Sequence, residues 1–143
     1  MLISGFGAMD AEQAFARASR ARRRAAVART LGRRRREHAR LPVYDGGRGR
    51  AAVPRGMREI PLAAIRGTLE PTRAAQFDGA FRPRGATRER WQRLWLARRR
   101  GAVLPPVTVV PVADGFAVRD GHHRVSVARA QGALTIDAVV DSA

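Results

Sequence analysis

The residues of this 143-residue chain with most chemical capacity fall together at Asp120-Gly121-His122-His123-Arg124. They sit where a predicted strand gives way to a predicted helix. A glycine there lets the backbone turn sharply and lets an anion approach closely. The first-turn amides of His122, His123 and Arg124 have no intrahelical partners and lie at the positive end of the helix dipole. With the Arg124 guanidinium they make a phosphate cradle. Asp120 has two roles open to it: helix cap, or ligand to Mg²⁺ beside a bound nucleotide. Either histidine is a candidate phosphate donor or a general acid or base near neutral pH. Adjacent histidines diverge on a helix, so a shared zinc ion is not expected. The plainer reading makes Asp120 a cap and Arg124 a surface charge.

The elements that must position this turn can be read from the surrounding pattern. Val107 to Val112 alternates as a strand, Ala113-Asp114-Gly115 has turn chemistry, and Phe116 to Val118 returns. A helix from His122 to Gln131 stops at Gly132, and Thr135 to Val140 makes a last strand. Upstream, Thr87 is expected to cap a helix whose Trp91, Leu94 and Trp95 form a core-facing stripe ended by Gly101. Phe77 and Phe81, four apart, read as a short helix closed by Pro83 and Gly85. Glu59-Ile60-Pro61-Leu62 reads as a short strand or turn, with Ile65 closing its pattern. The order is that of an α/β domain.

Charge divides the chain differently. All 28 basic residues are arginine, against 12 acids, for a net charge of +16. Residues 1–50 hold 13 arginines and 4 acids, residues 51–100 hold 12 and 4, and residues 101–143 hold 3 and 4. The excess belongs to the N-terminal two thirds. The missing lysine points to a coding bias toward arginine, because a chain selected only for phosphate contact would use both cations. From Asp10 to Arg36 the composition is Ala and Arg, with Phe15 and Leu31 on nearly opposite sides of the helical wheel. Such a helix, polar all round, is expected to be frayed when free and ordered on a polyanion. Arg22, Arg23, Arg24, Arg33, Arg34, Arg35 and Arg36 are its candidate nucleic-acid contacts. The plainer reading is a solvated tail. The expected organisation is a basic helical arm over 1–45, a Gly-rich linker over 46–56, and a folded module over 57–143.

Several classes are excluded or disfavoured. The chain has no cysteine, so disulfides, thiolate metal sites and cysteine nucleophiles are out. No apolar run approaches the roughly 18 residues that span a bilayer. The arginines follow the apolar start instead of preceding it, unlike a secretory signal, so a cytoplasmic location is expected.

The stretch from Leu104 to Val140 resembles the ParB/sulfiredoxin superfamily, and Glu59-Ile60-Pro61-Leu62 resembles the opening strand of that domain. Gly121, Arg124 and Ala128 match the box in which ParB proteins hold CTP phosphates, while His122 and His123 depart from it. The Asp-Gly-His-His-Arg form is similar to that of the ParB-like free serine kinases. There an upstream glutamate serves as base, and Glu70 in Thr68-Leu69-Glu70-Pro71 is the residue this resemblance implies. Sulfiredoxins carry a catalytic cysteine in this loop, so that activity is excluded here. The helix-turn-helix that follows in segregation ParB proteins is not expected, since the chain ends at Ala143.

The resemblance implies a small mixed-sheet ParB/sulfiredoxin-like domain. The function expected is nucleotide-phosphate binding at Gly121, His122, His123 and Arg124, with a nucleoside triphosphate or diphosphate and Mg²⁺ as cofactors. NTPase or small-molecule phosphotransferase activity would then use Glu70, Asp120 and His123. The alternative is a nonspecific DNA- or RNA-binding protein acting through its arm without catalysis. A third reading is an interaction domain whose arm docks on an acidic partner. Arg124→Ala is expected to abolish nucleotide binding and spare stability.

Overall fold

The computed structural model describes residues 3–33, 37–45 and 54–141. The alternation of Val107 to Val112 and of Gly115 to Asp120 yields adjacent strands, and the rest of a five-stranded mixed sheet forms around them. The strands are β1 (Pro54–Pro61), β2 (Ile65–Thr68), β3 (Val107–Val112), β4 (Gly115–Asp120) and β5 (Thr135–Asp141). Their order across the sheet is β1-β5-β3-β4-β2. β3 pairs antiparallel with β4 through the tight turn at Ala113-Asp114 and parallel with β5. β5 pairs antiparallel with β1, and β2 pairs parallel with β4. The helices are α1 (Ile3–Thr30), α2 (Pro71–Ala74), α3 (Arg88–Arg99) and α4 (His122–Ala130). This is the mixed-sheet α/β class with a basic N-terminal helix that the sequence predicts.

The helices stack outward from the sheet. α4 directs Val125 and Ala128 into the main core with Val107, Val109, Val118 and Val140. Its Val127 turns to a second core made by Trp91 and Trp95 of α3 and Ala11, Ala14 and Phe15 of α1. The Phe15 and Trp91 rings meet edge to face at 5.4 Å. Trp91 donates to the Ser126 hydroxyl at 2.9 Å, which donates to the Phe81 carbonyl at 2.6 Å. The two tryptophans are therefore core residues. The three long helices end alike. At Gly32, Gly101 and Gly132 the backbone takes positive φ, and the paired amide bonds of a Schellman cap close each end.

Three local expectations are corrected. The first is the frayed arm. α1 carries a stripe at Ala11, Ala14 and Phe15, with Ala25 buried further along. The small alanines let α1 approach α3 closely, and Phe15 anchors it against Trp91. Leu31, on the other side, stays exposed. The second is the Phe77–Phe81 helix. Helix α2 ends at Ala74, and both phenylalanines lie on a loop organised by the buried Asp78. Its carboxylate accepts the Ala80 and Arg82 amides at 3.0 and 2.9 Å and pairs with the Arg82 guanidinium at 3.1 Å. These bonds hold Phe81 at φ 62, a strained value that its burial compensates. The third is the α3 cap: Thr87 occupies the N-cap position, but its hydroxyl donates back to the Arg84 carbonyl at 2.8 Å.

Residues 41–44 belong to the body as well, while residues 46–53 of the expected linker lie outside the described residues. Leu41 is buried in the main core, Val43 bridges Thr68, and the Tyr44 amide donates to the Thr68 carbonyl at 2.8 Å. This segment covers the outer edge of β2, which would otherwise present unpaired backbone groups.

Candidate functional site

Gly121 sits at φ 107 between β4 and α4, a conformation that favours glycine. A Cβ there would lie 2.5 Å from Val107 Cγ1, so close packing demands glycine as well. The first helical bond of the turn runs from the Val125 amide to the Gly121 carbonyl. The His122, His123 and Arg124 amides thus precede the intrahelical ladder.

The flanking charges serve this turn. The Arg124 side chain is 15% exposed and donates to the Pro105 and Pro106 carbonyls at 2.6 and 2.9 Å. It also pairs with Asp120 at 3.1 Å. Arg124 is accordingly a clamp between the β3 entrance and the α4 start, a role that argues against the expectation that Arg124→Ala spares stability. Asp120 makes no side-chain cap, and its carboxylate is 73% exposed.

The histidines take different directions. His122 Nε2 lies 2.6 Å from the buried Thr68 hydroxyl, which also accepts the Glu70 amide at 2.8 Å. The His122 ring thereby joins the end of β2 to the start of α4. The His123 ring packs edge-on against Phe77 at 5.3 Å. Burial, with Arg73 and His123 nearby, pushes His122 down to about 4. Burial, with Arg90 and Arg73 nearby, pushes His123 down to about 4 as well. Both rings are neutral at pH 7, so each offers one ring N–H and one acceptor nitrogen there, and neither is an imidazolium.

A cleft of about 250 Å³ opens at the turn. Glu70, at the N-cap of α2, lines it together with Asp120, Gly121, His122, His123 and Arg124. The structure thus brings together six residues singled out from separate parts of the sequence. Three arginines that sequence reasoning missed complete the wall: Arg73 from α2, Arg90 from α3 and Arg119 from β4. Arg119 is bound to Asp141 at 2.8 Å, and Arg73 donates to Gln76 at 3.2 Å. Nothing in their spacing marked them, because three unconnected elements deliver them. Among the described residues no three His, Asp or Glu side chains gather as a metal site.

The arm residues lie elsewhere. Arg23 and Arg24 are exposed on α1, and Arg33 is exposed just beyond it. Arg22 is half-buried, with its Nε unpartnered. Burial and the nearby Arg84 and Arg23 lower its pKa from the usual guanidinium value. Arg34, Arg35 and Arg36 lie outside the described residues.

No family model matches the chain, and no curated protein sequence matches it. Among solved structures it is similar to sulfiredoxin from Arabidopsis thaliana, with 22% identity and a TM-score of 0.47. The match covers 62% of this chain and 86% of that one. The likeness concerns fold, and no activity is taken from it. Among the described residues no helix is long and apolar enough to cross a membrane.

Proposed function

We propose that the cleft at the β4–α4 turn binds the phosphate groups of a nucleotide, in the manner of a ParB-like domain. The observation that carries this reading is the convergence of arginines on a helix start. Arg73, Arg90, Arg119 and Arg124 line one small cleft with the unladdered amides of α4. Guanidiniums and oriented amides that face one cleft favour a multivalent anion. A volume of about 250 Å³ suits a phosphate chain and is small for a whole nucleotide. The base and sugar would lie outside the cleft.

On this reading the residues divide their work. The amides of His122 and His123 and the side chains of Arg73 and Arg90 meet phosphate oxygens. Arg124, committed to two carbonyls, holds the turn in shape. Asp120, with its exposed carboxylate, would be the residue to help hold a Mg²⁺ brought in with the phosphates, an ion that accepts as few as one protein carboxylate. As an NTPase or phosphotransferase the domain would use exposed Glu70 as base on the attacking hydroxyl or water, and neutral His123 would orient it. The direct test is thermal-shift and calorimetric titration with ATP, ADP, CTP and GTP, with and without Mg²⁺. A ligand that binds only the folded state stabilises it by about 2.7 kcal/mol at 100 times its Kd. The shift is expected with at least one nucleotide and is lost in Arg73→Ala/Arg90→Ala. No shift with any nucleotide, or a shift that survives the double substitution, overturns the proposal.

A second reading rests on α1. Its solvent side carries Arg17, Arg20, Arg23 and Arg24, all exposed, as a sequence-independent contact for DNA or RNA phosphates.

A further inference from the structure

A larger cleft, of about 480 Å³, lies between α1 and the body and shares no lining residue with the first. Its floor is apolar, built from Phe81, Pro83 and Trp95, with alanines of α1 along one wall. Its charged groups are Arg17, Arg24, Arg82 and Arg129, and no acidic residue lines it. Arg82 is answered by Glu37 at 3.2 Å and by Asp78 at 3.1 Å. The side chains of Arg17, Arg24 and Arg129 make no hydrogen bond or ion pair among the described residues.

Arg129 is the most telling of the three. Its guanidinium is half-buried and lies 6.0 Å from the Phe81 ring centroid. Burial and the nearby Arg82 lower its pKa from the usual guanidinium value, opposed by the carboxylates of Asp78 and Glu37, both of which Arg82 already engages. Partial desolvation of a cation beside a second cation is costly unless an anion is supplied. A protein that needed only packing here would be served by an apolar side chain on α4. The volume lies within the range of small-molecule sites, which pair an apolar lining with a few charged groups.

We propose that this cleft binds a small organic anion, with a carboxylate or phosphate head held by Arg17, Arg24 and Arg129 and a flat apolar body against Phe81, Pro83 and Trp95. The site is independent of the nucleotide reading, since it uses other residues. Because α1 forms one wall, occupancy would also tie α1 to the body.

The probe is 1-naphthyl phosphate, with inorganic phosphate as the control lacking an apolar body. Calorimetry and tryptophan fluorescence are expected to show saturable one-to-one binding of the aryl phosphate, at least tenfold tighter than inorganic phosphate. Arg129→Gln is expected to weaken it tenfold or more. Ala18→Leu, which fills the α1 wall, is expected to do likewise; circular dichroism and thermal melting verify that both variants fold. Arg73→Ala/Arg90→Ala should leave it intact. Absence of saturable binding overturns the proposal. So does binding indifferent to Arg129→Gln, or binding weakened equally by Arg20→Gln, a surface arginine outside the cleft.

Discussion

Arg124 makes two bonds to carbonyls and one to a carboxylate, so removing it leaves the Pro105 and Pro106 carbonyls without their charged donor. Arg124→Ala is therefore expected to cost about 1.5–3 kcal/mol, the range for a hydrogen bond involving a charged group. Urea unfolding would measure it, and an unchanged midpoint would return Arg124 to the status of a surface charge. The histidines give a second expectation at this scale. Their folded values are near 4 against an ordinary 6.5. Below about pH 6.5 the unfolded chain takes up protons at both rings while the folded chain does not. Stability from this source is thus present above 6.5 and falls as pH drops toward 4, by up to about 1.4 kcal/mol per pH unit for each ring. Unfolding midpoints at pH 7, 5.5 and 4.5 would show the slope, and His122→Gln/His123→Gln should flatten it. At Gly121 the sequence was fully legible, because a strand-to-helix junction with Asp-Gly announces positive φ. The commitment of Arg124 to Pro105 and Pro106 was not, since those carbonyls lie 18 and 19 residues away and nothing in their side chains shows them.

Elements depend on a few anchors whose loss should be felt at a distance. Among the described side chains of α1, Phe15 is the large apolar one that enters the second core, against Trp91. Phe15→Ala is expected to cost about 3–5 kcal/mol and to expose α1 to fast hydrogen exchange, with the sheet still protected. Protection of α1 equal to that of the parent would mean that its alanines alone hold it. Asp78 anchors the loop that seats Phe77 and Phe81. Asp78→Ala would remove the acceptor of two amides and the partner of Arg82, at an expected cost of about 3–5 kcal/mol. Thermal melting would show this as a fall in Tm. This loop was the element least legible in sequence. Two phenylalanines four apart satisfy a helical period, and only a fully buried carboxylate that captures nearby amides forces the chain out of it. The strands from Val107 and the helix from His122 were legible, because their patterning, turn residues and Gly stops agree.

Across the whole molecule, charge and packing share the same N-terminal helix. α1 covers Trp91 and Trp95, so removing residues 1–40 would both discharge the surface and open the second core. Neutralising exposed arginines separates the two effects. Arg20→Gln/Arg23→Gln/Arg24→Gln is expected to leave Tm within about 1–2 °C. If α1 contacts nucleic acid, it should reduce the slope of log affinity against log salt by up to about 0.9 per lost phosphate contact. Duplex-DNA titrations at several salt concentrations would measure this, and an unchanged slope would retire α1 as a polyanion contact. The sequence by itself determined the α/β class, the β3–β4 hairpin, the glycine turn into α4 and the tryptophan stripe of α3. Each of these is written in local patterning and turn chemistry. Only the tertiary structure decided that α1 packs against α3, that Glu70 shares a cleft with Asp120 and His123, and that Arg73, Arg90 and Arg119 join them. Those facts depend on parallel pairing of β2 with β4 and on helix stacking. Both bring together segments tens of residues apart, and no short-range pattern encodes that juxtaposition.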